Sequence, residues 1–298
     1  MQIPRRAQIT TRRPLAPKRT KRAPGKTAAT PILKWVGGKT RLLDELGKRM
    51  PTSFGRYFEP FVGGAALFFR TAPARAVLGD HNADLINVYR CVANDVDKVA
   101  RRLAHHKRQH CEAHYYEVRA SWNERSSSQS DVDRAAQFLY MNKTCFNGLY
   151  RVNSKGGFNV PMGRYENPAI YDLASLRVAS AALQKAEMYN AHYSEVVASA
   201  KAGDFVYFDP PYHPLTSTAN FTSYTSSSFS EDDQQQLVDV ANGLAERGCA
   251  VLLSNSDTPF IREIYKGWNI DTVMCGRSIN SKATARGAVA EVMIYNDY

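Results

Sequence analysis

The chain has 298 residues, 44% of them hydrophobic, and a formal net charge of +11, which suits one large domain, or a domain with an insertion, around a substantial core. No apolar run approaches the ~18 residues of a membrane helix, no hydrophobic signal segment follows the start, and the five scattered cysteines include no Cys-x-x-Cys pair. We therefore expect neither a membrane protein nor a disulfide scaffold, but a cytoplasmic protein with reduced thiols.

The positive charge is concentrated in residues 1–30, which contain nine Lys or Arg and no Asp or Glu. The rest of the chain has 30 basic and 28 acidic residues, a net charge of only +2. Because this segment lacks a hydrophobic period, we predict a disordered tail. It could be a solvated tail or a non-specific DNA-binding arm. A transit peptide is less favoured because four prolines interrupt any helix.

Two glycine pairs open the predicted folded region. The loop Lys34–Lys39 contains the first pair and precedes a predicted helix, but it lacks the spacing of a phosphate-binding Walker loop. The stretch Tyr57–Phe68 predicts a strand, a glycine turn at Gly63 and a helix. That layout cradles nucleoside-type cofactors at the edge of a sheet.

A second predicted strand, Ala76–Leu78, leads into Asp80. A carboxylate at the end of the second strand binds ribose hydroxyls in dinucleotide-type folds. The same residue could instead be a helix N-cap or a turn residue.

Residues 94–169 differ from the preceding stretch in the spacing of their apolar residues, which recur at helical intervals and predict a mostly helical insertion. Within it, His106, His110 and His114 lie four residues apart, so on one helix they would share a face. A zinc site is one interpretation. A solvated helix face is favoured, because structural zinc commonly takes its ligands from a turn and a second element with cysteine pairs.

A glycine-punctuated, basic and aromatic segment follows, and its Lys155–Gly157 turn predicts a hairpin of two short strands. Aromatic rings interleaved with arginines suit a nucleic-acid surface, since rings can stack and guanidinium groups can bond guanine edges or phosphates. An ordinary surface hairpin remains the alternative.

The second half of the chain alternates predicted helices and strands. We predict a helix after Asp172, a long Ser/Thr-rich loop over 213–229, and a helix capped by Ser230 and Asp233 that ends at Gly248. The predicted strands are 186–190, 204–208, 250–255, 269–275 and 291–295. The fold class predicted from this order is α/β, a doubly wound, mostly parallel sheet with a mostly helical insertion.

The tetrad Asp209–Tyr212 follows the apolar strand 204–208. Its two prolines cannot donate to a ladder, so the chain must leave the sheet there. This places a carboxylate and an aromatic ring at the carboxyl edge, where ligands of such sheets bind. A rigid loop would be the simpler interpretation of an Asp-Pro pair alone.

The loop Lys34–Lys39, the stretch Glu59–Gly64, the helical block and the tetrad, in this order, resemble the alpha group of adenine-N6 DNA methyltransferases. Segments 158–165 and 215–224 resemble its Dam branch, and the resemblance covers residues ~31–298. It implies S-adenosylmethionine as methyl donor, no metal, double-stranded DNA with the site GATC as partner, and a monomer. It also implies a catalytic domain over 31–93 and 170–298 and a target-recognition domain over 94–169.

The resemblance assigns roles residue by residue. The implied catalytic residues are Asp209, Pro210 and Tyr212, and the implied cofactor contacts are Trp35, Lys39, Gly63, Asp80 and Asp209. The implied GATC readers are Lys34, Leu149, Arg151 and Pro161, and the implied neighbouring DNA contacts are Phe146, Asn147, Arg164 and Tyr165. Phe146 stands where the family often has a tyrosine that wedges into the base stack, so it keeps the ring and lacks the hydroxyl.

Two other functions stay open at this point. The same tetrad could methylate cytosine N4 or adenine in RNA. The chain could also be a catalytically silent DNA-binding module, although the intact tetrad and the Lys34–Lys39 loop argue against it.

Overall fold

The computed structural model describes residues 28–125, 129–215, 229–276 and 288–298, and within them seven strands form one sheet. The strands are β1 (Tyr57–Glu59), β2 (Ala76–Gly79), β3 (Ala186–Tyr189), β4 (Phe205–Phe208), β5 (Ala250–Ser256), β6 (Asn269–Gly276) and β7 (Ala288–Tyr295). Their order is β3-β2-β1-β4-β5-β7-β6. The first five pair in parallel, whereas β7 pairs antiparallel with both β5 and β6.

Helices cover both faces of this sheet. They are α1 (Leu43–Lys48), α2 (Ala66–Thr71), α3 (Ala83–Arg108), α4 (Glu112–Glu124), α5 (Asp131–Thr144), α6 (Leu173–Leu183), α7 (Tyr193–Val196), α8 (Glu231–Glu246) and α9 (Pro259–Ile264). Successive residues of a strand point to opposite faces. Accordingly, Tyr57 and Tyr207 lie in the core with α1 to α6, whereas Phe58 and Phe208 lie in the core with α7 to α9.

Burial on both faces explains why the central strands are continuous apolar runs rather than alternating ones. All four residues of β4 and all seven of β5 are buried. The predicted doubly wound, mostly parallel sheet is confirmed. The predicted helix cap is also confirmed, because Ser230 and Asp233 form a reciprocal capping box at the start of α8.

Helices α3, α4 and α5 form the helical insertion, with α3 packed along α5 and α6. Helix α3 already begins at Ala83, and its backbone leaves helical geometry at Asp95 (φ −134°, ψ 35°). This interruption lies next to residue 94, where the sequence predicts the insertion to begin.

The prediction that His106, His110 and His114 share a solvated face of one helix is wrong. Helix α3 ends at Arg108 and α4 begins at Glu112, so the three histidines lie on two helices and the connection between them. His114 is buried, and its Nε2 lies 3.0 Å from Nδ1 of His106. Burial lowers the pKa of His106 to about 4. The rings of His106 and His114 therefore pack together instead of lying on a solvated helix face.

Two predicted segments fall largely outside the described residues: the basic tail over 1–30 and the loop over 213–229. Among the helices that the structure does describe, none combines the length and the apolar character needed to span a membrane.

Candidate active site

The carboxyl ends of the parallel strands meet at one side of the sheet, here named the catalytic edge, and Asp209 directly follows β4 there. Its Oδ1 accepts hydrogen bonds from Lys39 Nζ at 2.7 Å and Ser254 Oγ at 3.1 Å. Lys39 also donates to the carbonyl of Gly37 at 2.7 Å. The side chains of Lys39 and Asp209 are only 9% and 20% exposed, so this ion pair is largely shielded from water.

Burial raises the pKa of the Asp209 carboxyl, while the neighbouring Lys39 ammonium and the hydrogen bonds oppose that rise. The carboxylate form of Asp209 therefore depends on its two partners. The sequence predicts Lys39 and Asp209 as site residues but not Ser254, which comes from β5.

The rest of the tetrad is held by side chains from distant elements. The Pro211 carbonyl accepts a hydrogen bond from Gln234 Nε2 at 2.9 Å. The Tyr212 hydroxyl donates to Glu291 Oε2 at 2.9 Å, and Lys39 Nζ lies 4.6 Å from the centre of the Tyr212 ring. The tetrad thus has a fixed backbone and a fixed aromatic ring.

The glycine turn after β1 meets Trp35 and Asp80. Gly63 has φ +43°, and a Cβ there would lie 2.8 Å from Cδ1 of Trp35. The Gly63 amide donates to Asp80 Oδ2 at 3.0 Å. Helix α3 is capped by Asn82, not by Asp80. The structure therefore brings Trp35, Gly63 and Asp80 together beside Asp209 and Lys39 at one edge.

A third carboxyl, which the sequence does not predict as a site residue, lies at the same edge. Glu59 is 3% exposed and accepts a hydrogen bond from the Tyr57 hydroxyl at 2.8 Å. Burial raises the pKa of Glu59 to about 8. The hydrogen bond from Tyr57 opposes that rise, and the charge of Asp209 adds to it. The signal in the sequence is that Glu59 directly follows Tyr57 and Phe58 in a strand that is buried throughout.

The chemistry of these side chains limits the ligand. Three carboxyl groups with one ammonium disfavour a phosphate and favour a ligand that offers hydroxyl donors and positive charge. The absence of a side chain at Gly63 lets the Trp35 ring lie against the turn. S-adenosylmethionine fits this set, with its ribose hydroxyls and sulfonium. Within the described ranges, no cluster of three or more His, Cys, Asp or Glu could hold a metal ion.

Residues 144–165, here named the recognition segment, lie against the Lys34–Lys39 loop. Asn142, just before this segment, joins the two: it bonds both the amide and the carbonyl of Lys34, at 2.8 and 2.7 Å, and donates to the Gly148 carbonyl at 3.1 Å. The Lys34 ammonium lies 4.2 Å from the centre of the Tyr165 ring. Phe146 is 50% exposed, and its amide donates to the Pro161 carbonyl at 2.9 Å. The structure thus unites Lys34, Phe146, Pro161 and Tyr165 on one surface.

The predicted hairpin is shorter than two strands. Antiparallel pairing is limited to isolated bridges, Cys145 with Met162 and Val152 with Phe158. The exposed Arg151 is held by Asn159, with Nε donating to Oδ1 at 2.7 Å and Nη2 to the carbonyl at 3.4 Å. The other predicted DNA residues lie on this segment as well: Asn147 and Arg164 are exposed and Leu149 is half-buried against the core.

Comparison with known proteins agrees with this geometry. Residues 35–279 match the family described as D12 class N6 adenine-specific DNA methyltransferase. The type II methyltransferase M1.LlaDCHI of Lactococcus lactis subsp. cremoris is 42% identical over 269 residues, covering 89% of this chain and 95% of that protein. The type II methyltransferase M.MjaIII of Methanocaldococcus jannaschii is 39% identical over 284 residues (89% and 98%). The DNA adenine methylase of Escherichia coli K12 is 40% identical over 264 residues (88% and 93%).

Matches of this extent agree with the tetrad that the structure places at the catalytic edge. The chain belongs to the D12 class of N6 adenine-specific DNA methyltransferases.

Proposed function

We propose that this methyltransferase acts on the adenine of GATC in double-stranded DNA, and that it extrudes that adenine from the helix before methyl transfer. One observation carries the catalytic part: the Asp209 carboxylate is fixed by Lys39 and Ser254 beside the ring of Tyr212. The choice of GATC is supported by four residues that match the Dam pattern and lie on or beside the recognition segment: Lys34, Leu149, Arg151 and Pro161.

Members of this family use S-adenosylmethionine as methyl donor. When bound, it supplies a methyl group on a positively charged sulfur, which retains the bonding electrons as the methyl leaves. In our proposal, Trp35 and Gly63 form the floor of its site, Asp80 accepts from its hydroxyls, and Lys39 and Asp209 contact its charged groups. The close packing of Trp35 on Gly63, where a Cβ would lie 2.8 Å from Cδ1 of Trp35, supports this arrangement.

Adenine N6 is a weak nucleophile because its lone pair is delocalised into the ring. The Asp209 carboxylate and the Pro210 carbonyl would each accept a hydrogen bond from the amine, which draws the lone pair out of the ring plane. The new bond forms from that lone pair, and the amine then gives up one proton to the Asp209 carboxylate that accepts its hydrogen bond, and from there to water. Fixed acceptors and correct placement of the reacting atoms supply most of the acceleration.

The base must leave the helix, at a cost of a few kcal/mol. Stacking on Tyr212 would return ~1–3 kcal/mol, and the exposed Phe146 ring would fill the space left in the duplex. The Arg151 fork would bond guanine O6 and N7, and Pro161 would contact the thymine methyl. Asn147, Arg164 and Tyr165 would contact neighbouring DNA.

In this proposal residues 94–169 form the target-recognition domain, whereas 31–93 and 170–298 form the catalytic domain. Action as a monomer stays a prediction, which sedimentation of the protein with one duplex would check.

The test is the rate of methyl transfer to short duplexes that contain GATC or each single-base variant, with analysis of the modified base. We expect N6-methyladenine in GATC and a rate about 5- to 150-fold slower on each variant, by loss of one base contact of about 1–3 kcal/mol. Equal rates on all duplexes, or a preference for another sequence, would overturn GATC while leaving the family unaffected. N4-methylcytosine would overturn the choice of base.

A further inference from the structure

The aromatic ring of the tetrad is oriented by a carboxylate that no motif predicts. Glu291 Oε2 accepts a hydrogen bond from the Tyr212 hydroxyl at 2.9 Å across 79 residues of sequence. Both side chains are only partly exposed. Burial raises the pKa of Tyr212 well above its ordinary value, and the neighbouring carboxylates add to the rise. The phenol therefore remains a donor to Glu291 throughout the working pH range.

The topology of the sheet explains how Glu291 reaches the tetrad. Because β7 runs antiparallel to β5, its first residues lie at the edge where the parallel strands end. The register pairs Glu291 with Ser256, two residues beyond Ser254, which bonds Asp209. Strand β7, which runs antiparallel to β5 and β6, thus places the Glu291 side chain at the catalytic edge.

A hydrogen bond at the far end of a tyrosine fixes χ1 through the position of its oxygen, and it restrains the ring rotation χ2 because the phenol O–H prefers to lie in the ring plane. Hydrogen bonds to an ionised acceptor are about twice as strong as neutral ones. A ring that is already fixed loses less conformational entropy when a base stacks on it. Lys39 Nζ, 4.6 Å from the ring centre, shows that one face of this ring is directed at the Asp209 ion pair.

We propose that Glu291 is a positioning residue that holds the Tyr212 ring in the orientation needed to receive the extruded adenine. The inference rests on the proposed stacking of that base on Tyr212. It does not depend on GATC being the site, because any duplex that the enzyme methylates can be used to test it.

The test is a double-mutant cycle of Glu291→Ala with Tyr212→Phe, with Glu291→Gln as the conservative variant. Glu291→Ala should lower kcat about tenfold, the equivalent of one hydrogen bond to a charged group, with little change in KM for the duplex. Glu291→Gln, which keeps an acceptor, should recover most of kcat. In the Tyr212→Phe background, Glu291→Ala should cost nothing further, because the hydroxyl it serves is gone.

A second readout separates positioning from folding. A duplex with 2-aminopurine at the target position reports extrusion and stacking by fluorescence, and Glu291→Ala should change the signal of the stacked state while leaving cofactor affinity unaltered. Glu187→Ala is the matched control, because the exposed Glu187 accepts from the exposed Tyr189 at 2.6 Å on the edge strand β3. It should leave kcat and fluorescence unchanged.

Three outcomes would overturn the inference: additive losses in the cycle, equal losses in Glu291→Ala and Glu291→Gln, or unchanged kcat in Glu291→Ala. The failure of the proposed function is distinguishable, since it would show in the wild type as an absent extrusion signal from the 2-aminopurine counterpart of a duplex that the enzyme methylates. Coupling between the two variants then reports on Glu291 alone.

Discussion

The catalytic edge and the recognition segment are built in different ways. At the catalytic edge, side chains far apart in the sequence hold one another: Lys39 with Asp209, Ser254 with Asp209, and Tyr212 with Glu291. In the recognition segment most bonds are local, such as Arg151 with Asn159, eight residues on. Catalytic geometry is therefore set by the whole sheet, whereas recognition geometry is set mainly by a short stretch of chain.

The two regions also differ in exposure. The ion pair of Lys39 and Asp209 is largely buried, whereas Phe146 is 50% exposed and Arg151 lies on the surface. Charges interact strongly when shielded from water and weakly when exposed to salt. We therefore expect changes at the catalytic edge to abolish turnover, and changes in the recognition segment to alter selectivity.

The largest expected effect is at Asp209. Asp209→Ala removes the carboxylate proposed to act on the amine and should lower the rate of transfer by at least about a hundredfold, as loss of a preorganised polar group does. Specific DNA binding should persist, because the carboxylate acts on the base rather than on the duplex. The measurements are single-turnover transfer and duplex binding by fluorescence anisotropy.

Asp44→Ala is the control for that prediction, since the Asp44 side chain is 87% exposed and pairs with Arg70 rather than with a residue of the catalytic edge. Asp209→Asn, which keeps the shape, separates loss of charge from loss of packing around Lys39. Retention of a tenth or more of the wild-type rate in Asp209→Ala would contradict the catalytic assignment and remove the contrast between the two regions.

A smaller, more selective effect is expected at Arg151. Loss of one bidentate base contact is worth about 1–3 kcal/mol, so Arg151→Ala should reduce discrimination about 5- to 150-fold at one symmetric pair of positions, with cofactor affinity unchanged. The measurement is the transfer rate on GATC and its single-base variants. Arg177→Ala, an exposed arginine paired with Asp97 on another surface, is the control.

A uniform loss across all duplexes would instead assign Arg151 to phosphate contact. That result would show that the recognition segment positions the protein on DNA without specifying its sequence.

The sequence predicts the features whose cause is local. Central strands buried on both faces are continuous apolar runs, the tetrad must leave the sheet at its prolines, and the turn at Gly63 needs a small residue; all three are confirmed. Serine and aspartate spacing likewise predicts the cap of α8.

What the sequence could not predict depends on which elements meet. Ser254 and Glu291 reach the tetrad only because β5 lies beside β4 and β7 inserts between β5 and β6. The histidine prediction failed for the same kind of reason, since the helical period assumed one helix where the chain turns. The hairpin was overestimated because turn residues predict where a chain reverses, and not how many pairs form beyond the turn.

The smallest expected effect, on stability rather than turnover, sharpens the contrast in burial. Burial raises the pKa of Glu59 from its ordinary value of 4.5 to about 8, so between these values the folded protein holds a proton that the unfolded chain has released. The stability linked to this neutral carboxyl is complete below pH 4.5 and is lost as the pH rises through about 8.

Glu59→Gln is neutral at every pH, so its free energy of unfolding relative to wild type should rise steadily from acid to mildly alkaline pH. Urea unfolding across that range measures the difference, and Glu231→Gln, at a carboxyl that is 66% exposed, should follow the wild type. Parallel curves for wild type and Glu59→Gln would show that Glu59 is charged in the folded protein, and that the catalytic edge is less shielded from water than its contacts indicate.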